Sequence, residues 1–374
     1  MALWPVTVEL DGEELELADV AADVAIHHGR DDVNASPTAT TCQLTLLGVT
    51  HDHVNAFRPG VSLRVLVADG AGTPAPRFTG TVTDGTLAVD ELTAIAVGRL
   101  ASVRGIAVGL GNWPSETWSA RVARIFQEAG LTAELDLRPD PTFDPLLAPR
   151  DATTAGPTTL GDYMGFLAPM VGALVADHLD GRILVQAVGS RTLADAVLVD
   201  PALVEFAPDW VIVLPAGNIV TVRYQADQGA SVTVTDDASR GLYGDRPSTI
   251  DTSYVNAADA TARAQTALRR GAYAHWNILQ APILAGLPGL ALGDPIVLER
   301  LPPSSPLSPW TPIVEGWAEQ ITGDRWTMQL SLSDPRLSGI TPLPWEDVDP
   351  ALTWATINQT VAWYEAQSPE AIAP

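Results

Sequence analysis

The 374-residue chain contains no lysine; its 21 basic residues are all arginine, set against 45 aspartates and glutamates for a formal charge of -24. So few cations leave little to displace counterions from a phosphate backbone, which argues against sequence-independent gripping of nucleic acid. A single cysteine, Cys42, excludes intramolecular disulfides and every multi-thiolate metal site. Charged residues amount to 18% of the chain, below the roughly 25% of average soluble domains. Much of the surface is therefore neutral or used in contacts, which suits an assembly subunit. No run of 18 apolar residues lacks a charge, and the opening Met1 to Pro5 has neither a basic region nor an apolar stretch behind it. A soluble protein without a membrane span or export signal is expected.

Catalytic signatures are equally scarce. Gly-x-Ser-x-Gly and Walker patterns are absent. The six histidines stand at positions 27, 28, 51, 53, 178 and 275, none in a metal-binding spacing. His51-Asp-His53 comes nearest, because alternate residues of a strand face one side and two imidazoles there suit Zn²⁺. It lacks a third ligand and falls at an expected strand end or loop, so it reads as a solvated polar cluster. Gly105-Ile-Ala-Val-Gly-Leu-Gly111 resembles a dinucleotide fingerprint only superficially, since Trp113-Pro114 follows and no strand-turn-helix unit surrounds it. Cys42 sits in the alternating run Thr41 to Leu46 and reads as a small strand residue rather than a nucleophile. Acids are too scattered to mark a glycosidase pair. Neither catalytic residues nor a metal or cofactor are expected, and the chain is read as a non-enzyme.

What is present is β pattern in quantity. The length fits two or three domains. Val6–Leu10, Cys42–Leu46 and Val61–Val67 alternate like strands, with turns at Asp11-Gly12 and Arg58-Pro-Gly60. Phe78-Thr-Gly-Thr-Val-Thr-Asp84 leads through Gly85 into Leu87 to Val97 as a hairpin. The period then changes. After Pro114 and an expected N-cap at Ser115, Trp118, Val122, Ile125, Phe126 and Ala129 recur at helical spacing until Gly130. Thr159-Leu-Gly-Asp162 opens a second helix toward Leu167, limited by Pro169. Arg182–Gln186 returns to strand. Ile219–Tyr224 and Ser231–Thr235 follow, then a helix over Ala257–Arg270 capped by Asn256, and strands at Pro295–Glu299, Thr311–Ala318 and Trp326–Leu332, the last with its turn at Gly323-Asp324. Trp317 and Trp326 belong to strands and to the core.

The succession of Gly29-Arg-Asp-Asp32, Cys42–Leu46, Arg58-Pro-Gly60 and Phe78–Asp84 resembles the opening domain of actinobacteriophage minor tail proteins. The later order of Asn218-Ile-Val-Thr-Val222, Gly241-Leu-Tyr-Gly244, Ile250-Asp-Thr252, the Ala257 helix, Gly293-Asp294 and Val314-Glu-Gly-Trp317 through Arg325-Trp326 is similar to the same family. That family is similar in turn to the baseplate hubs of contractile-tailed phages. The resemblance implies a mainly β, α+β fold: residues 1–107 a first tube-like antiparallel β-barrel, 108–215 an inserted α+β domain, 216–337 a second tube-like β domain with one helix, and 338–374 a C-terminal arm. It implies a homotrimeric ring at the tail tip of a virion, made in the bacterial host cytoplasm. The expected partners are a distal tail or tube protein, baseplate or tail-fibre proteins and the tape-measure protein. DNA would pass through its channel at genome ejection without specific binding, and an acidic lumen wall is the expectation from net charge. The alternative is a glycan-binding module or glycan hydrolase of the tail tip.

Eleven tryptophans remain to be placed. Trp345, Trp354 and Trp363 recur nine residues apart among Pro342, Pro344 and Pro350, and with Tyr364 they are the candidate interface residues. An extended arm laid over a neighbouring subunit fits this pattern. A helix within Leu352 to Glu365 would place Trp354 and Val361 on one face with Ile357 beside them and would instead let the arm dock on its own chain; the intersubunit arm is the favoured reading.

Overall fold

The computed structural model describes residues 6–15, 21–30, 38–68, 73–190, 197–199, 210–224, 229–278, 280–283, 286–287, 289–298, 301, 305, 310–322 and 325–334. The protein is mainly β with α+β content, as the residue periods predict. Its principal element is a ten-stranded sheet in the order Glu13–Glu14, Val6–Leu10, Ser62–Ala68, Pro74–Ala88, Glu91–Gly98, Thr41–Leu47, Ala21–Gly29, Ile313–Ile321, Trp326–Ser333 and Gln280–Ile283. Every neighbouring pair is antiparallel. Strands from the two ends of the chain thus share one sheet, joined where Ala21–Gly29 meets Ile313–Ile321 with Trp317 opposite His28. Among the described residues no strand pairing closes this sheet into a barrel.

Period-two alternation makes one face of it a core. Val24, Ile26, Cys42, Leu44, Leu46, Ala96, Trp317, Ile321 and Leu330 all turn inward and are buried. Against that face lie Leu174–Asp177 and Ile183–Gln186, two strands buried along their whole length. Their apolar runs do not alternate because both faces are covered. Leu174, Ala176 and Leu184 join the core of the large sheet, while Val175, Ile183 and Val185 join a second core. That second core is built around the helices Trp118–Glu128 and Leu160–Val171, and it also takes Val220, Val222, Ala260 and Ala264 from a three-stranded sheet and its covering helix Ala257–Gly271.

The joint between the chain's ends is tight and charged. Gly29 has φ +70, and a Cβ there would stand 2.3 Å from the Glu315 carbonyl oxygen; a Cβ on Gly316 would stand 2.5 Å from the carbonyls of Arg30 and His28. Only glycine allows such an approach. Arg30 donates to Glu315 Oε2 from Nε at 2.9 Å and Nη2 at 2.7 Å, and Ser333 Oγ donates to Glu315 Oε1 at 2.7 Å. Four residues on from Glu315, Glu319 pairs with Arg77 at 3.1 Å with neither side chain exposed. The Glu319 carboxylate also accepts from Trp317 Nε1 at 3.1 Å and Trp326 Nε1 at 2.9 Å, while the guanidinium stacks 5.4 Å and 5.1 Å from those two rings. His28 Nε2 lies 3.4 Å from Glu319 and its Nδ1 3.3 Å from Thr40 Oγ1. Asp177 ties in the middle strands, accepting from the backbone N–H of Thr40 at 2.8 Å and of Leu100 at 2.6 Å. Burial pushes its pKa up against those bonds.

Several local expectations need correction. The hairpin turns at Val89-Asp90 instead of Gly85: a bulge between Val82 and Asp84 absorbs the irregularity, and pairing runs on to Ala88 opposite Glu91. The N-cap of the Trp118 helix is Thr117, which accepts from the Ala120 N–H, while Ser115 Oγ donates to the Leu147 carbonyl. Pro169 does not end its helix; it lies inside the last turn, and the helix stops at Gly172 in the left-handed region. Proline's fixed φ suits a helix, and the Pro169 carbonyl is satisfied by Arg263 at 2.9 Å. The Gly323-Asp324 turn lies outside the described residues.

Burial disfavours the charged Glu319 carboxylate, but Arg77 and the contacts from His28 and Trp317 overcome that and hold its pKa down to about 2. Its stabilisation is therefore complete above the ordinary 4.5 and is lost as pH falls toward 2. Burial keeps the His28 pKa below 6.5, so acid opposes the fold from there downward. Glu319→Gln should cost about 3–5 kcal/mol in urea unfolding by leaving Arg77 buried without its charge partner, whereas Arg77→Met with Glu319→Gln should recover part of that loss, because the amide oxygen still accepts from the indole N–H groups. The parent's melting temperature should drop from pH 7.5 to pH 3 more steeply than the double variant's.

Candidate functional site

The outward face of the large sheet is the broadest surface the fold builds. Because alternate residues turn outward, the same strands that bury Glu319, Trp317 and Leu44 present a second set to solvent. Register places these in rows. One row runs Thr81, Val97, Thr41, His27, Ala318 and Gln329; the next runs Asp84, Ile95, Gln43, Ala25, Gln320 and Thr327; a shorter third runs Thr86, Thr93, Thr45 and Asp23. None of these residues is buried. Six strands at about 4.8 Å spacing give the face a width of about 24 Å.

Its chemistry is hydroxyl, amide and methyl, with the Thr45 and Thr93 hydroxyls 3.5 Å apart. Along these three rows two carboxylates, Asp84 and Asp23, stand and no guanidinium does; the same outward phase carries Glu91 just beyond them, and the Arg64–Glu9 pair, 3.2 Å apart, on Ser62–Ala68 and Val6–Leu10. The guanidiniums of Arg77 and Arg30 lie on the other side, buried in the joint. These rows form a polar wall of hydroxyls, amides and methyls with the His27 ring among them, less acidic than net charge alone suggests.

The residues weighed from sequence fall elsewhere. His51 and His53 lie on a short helix, His51–Ala56, not on a strand, and His53 Nδ1 accepts from the Thr50 N–H at 3.0 Å in a capping box. Their expected strand end was misread because Thr50 is an N-cap. Cys42 is a buried strand residue whose thiol pKa burial pushes up, which leaves it inert. Gly105 to Gly111 follows a short helix, Arg99–Val103, and contains the two-residue strand Ala107–Val108, which pairs with Thr158–Thr159. Among the described residues no three His, Cys, Asp or Glu side chains gather as a metal site. No helix among them is long and apolar enough to cross a membrane. Trp345, Trp354, Trp363 and Tyr364 lie outside the described residues. Sequence reasoning missed Arg77, His28 and Glu319. A signal for Glu319 was there: it shares the inward phase of Trp317 and Ile321, and an acid on an apolar phase demands a buried partner.

No protein-family model matches the sequence, and no curated protein matches it. Solved structures do match the fold. The tail protein from Neisseria meningitidis MC58 superposes with a TM-score of 0.61 at 14% identity, over 90% of this chain and 99% of that one. The 43 kDa tail protein of prophage MuSo2 from Shewanella oneidensis gives 0.58 at 14% identity, over 90% and 98%. The chain has the fold of phage tail proteins. Prophage tail protein gp18 from Listeria monocytogenes EGD-e matches as well, with 0.52 at 12% identity over 87% and 94%. The resemblance to phage tail proteins read from the sequence is thus met in the fold, and of its motifs Gly29-Arg30 and Val314–Trp317 meet at the joint.

This assignment of faces makes a direct prediction. Ala25→Arg on the phage-tail fold's open face should change unfolding stability by less than about 0.5 kcal/mol. Leu44→Ala, from the neighbouring strand's inward side, should cost about 2–5 kcal/mol. Equal losses in chemical denaturation would mean the faces are misassigned.

Proposed function

We propose that the protein is a non-enzymatic hub of a phage tail tip, a virion component whose copies form a homotrimeric ring joining the tail tube to baseplate or fibre proteins. The observation that carries this reading is the wide sheet face whose three central rows hold no guanidinium, on a fold shared along nearly the whole chain with phage tail proteins. In the ring, residues 1–107 and 216–337 supply the tube-forming strands, joined to one another through the pairing of Ala21–Gly29 with Ile313–Ile321, with 108–215 outside and 338–374 as the arm. Copies arranged head to tail complete a tube from sheets that do not close within one chain.

The open face then lines the channel. DNA passing a wall of threonine and glutamine meets no cation able to displace its counterions, so the wall does not hold it. Asp23 and Asp84 add weak repulsion, falling off within about 8 Å at physiological salt. A distal tail or tube protein, fibre proteins and the tape-measure protein are the partners this geometry serves.

Light scattering on the purified chain should give a mass three times the 39.5 kDa subunit. Gln43→Arg with Gln320→Arg should confer DNA binding that weakens as salt rises, where the parent binds none. A monomer that instead retains glycans on an array would replace the hub with a sugar-binding module.

A further inference from the structure

We propose that the strand Ala230–Thr235 is an acceptor edge, to which a second tail protein adds an extended, uncharged strand that prolongs the three-stranded sheet. That the donor is a baseplate or fibre protein rests on the hub reading; the acceptor edge itself does not.

The small sheet runs in the order Ala230–Thr235, Ile219–Tyr224 and Pro247–Asp251, so its two outer strands are edges. Hydrogen-bond phase fixes what the first edge offers. The Asp236 N–H bonds the Asn218 carbonyl at 3.0 Å, and bonded residues alternate in an antiparallel pair, so Val234 and Val232 exchange bonds with Val220 and Val222. Ser231, Thr233 and Thr235 then turn their N–H and C=O groups away from the sheet, and all three residues are exposed. Among the described residues no strand pairs with that side. Other edges are guarded. The ten-stranded sheet ends at Glu13–Glu14, a pair of acids, and at Gln280–Ile283, which holds Pro282; the opposite edge of the small sheet starts at Pro247 and ends at Asp251. Charge and proline on an edge block the addition of a further strand. Ala230–Thr235 has neither, and four of its six residues are β-branched.

The covering helix sets the chemistry of the added strand. Ala257–Gly271 packs over both Ile219–Tyr224 and Ala230–Thr235. Its Arg263 donates to the Pro169 carbonyl at 2.9 Å, toward the helix Leu160–Val171 that also touches Pro247–Asp251. Steps of about 100° per residue put Ala258, Thr261 and Gln265 on the opposite flank, above the free edge. None of the three is buried and none is charged. Val232 and Val234, on the helix side of the strand, are only half-buried because the layer stops there. A donor strand with apolar residues at alternate positions fills that gap under the helix flank, and its other residues meet the hydroxyls of Ser231, Thr233 and Thr235. The donor belongs to another protein. This sheet shares its core with residues of the 108–215 unit, which stand outside the proposed ring, and a neighbouring copy offers only guarded edges. Pairing of Ala230–Thr235 with itself would be twofold, whereas ring contacts are head to tail.

Hydrogen–deuterium exchange on the full-length protein tests the edge, with the synthetic peptide Thr-Val-Thr-Val-Thr-Val-Lys-Lys as the probe, its lysines lying beyond the paired segment for solubility. Saturating peptide should slow exchange over residues 230–236 about tenfold and leave 313–321 unchanged. Thr233→Pro should abolish the slowing, because the Thr233 N–H has no role within the sheet. Thr233→Lys, which guards the edge and keeps the N–H, should weaken it too and decides the matter if proline loosens the strand. Unchanged exchange over 230–236 with the peptide, or equal slowing in parent and variants, overturns the proposal. Slowing that follows protein concentration alone, with a doubling of mass, also overturns it and gives the edge to a second copy. Light scattering of the same samples keeps the two readings apart: a monomer protected by the peptide retains the acceptor edge and removes the ring, whereas a trimer without protection does the reverse.

Discussion

The pairing of Ala21–Gly29 with Ile313–Ile321 is the constraint on which the rest of the structure depends. It brings together segments separated by nearly the whole chain, at the entropic cost of closing a very long loop. Apolar burial alone specifies such a register weakly, because a two-residue slip leaves the same face inward. The buried charges remove that freedom. Glu319 reaches Arg77 and both indole N–H groups, and Glu315 reaches Arg30 and Ser333, only in the observed register. Displaced by two residues, each acid would be buried without its partner, a penalty of several kcal/mol.

That joint explains how one strand set has two characters. Inward, Trp317, Trp326 and Glu319 lock the ends of the chain together; outward, the alternate residues Ala318, Gln320 and Thr327 are released from packing and free to form a smooth surface. The middle strands Leu174–Asp177 and Ile183–Gln186 brace the inward side, so the open face is backed by two cores. A face held in this way can serve as a wall in an assembly without reshaping on contact.

Strands were legible wherever one face is wet. Thr41–Leu47 and Trp326–Ser333 alternate cleanly, and the Asn256-capped helix declares itself through a side-chain cap and helical spacing. Turn positions were less so, because Gly85 carries turn chemistry yet sits in a strand, while Val89, with φ +53, makes the turn. Pro169 limits its helix less abruptly than expected: it stands in the last turn, and the helix ends at Gly172 three residues later. The long-range pairing was hidden altogether, since periodicity reports which face is buried and not against what. The motifs Gly29-Arg30 and Glu315-Gly-Trp317 were visible separately; their meeting is a property of the fold.

In the proposed assembly, copies of this tail-protein fold close into a ring around a channel lined by the open face. Electron microscopy of the purified full-length protein, classified without imposed symmetry, tests that most directly. Threefold particles with a central hole, walled by the strands that carry Gln43, Ala25 and Gln320, are expected. A closed particle with no channel would contradict it.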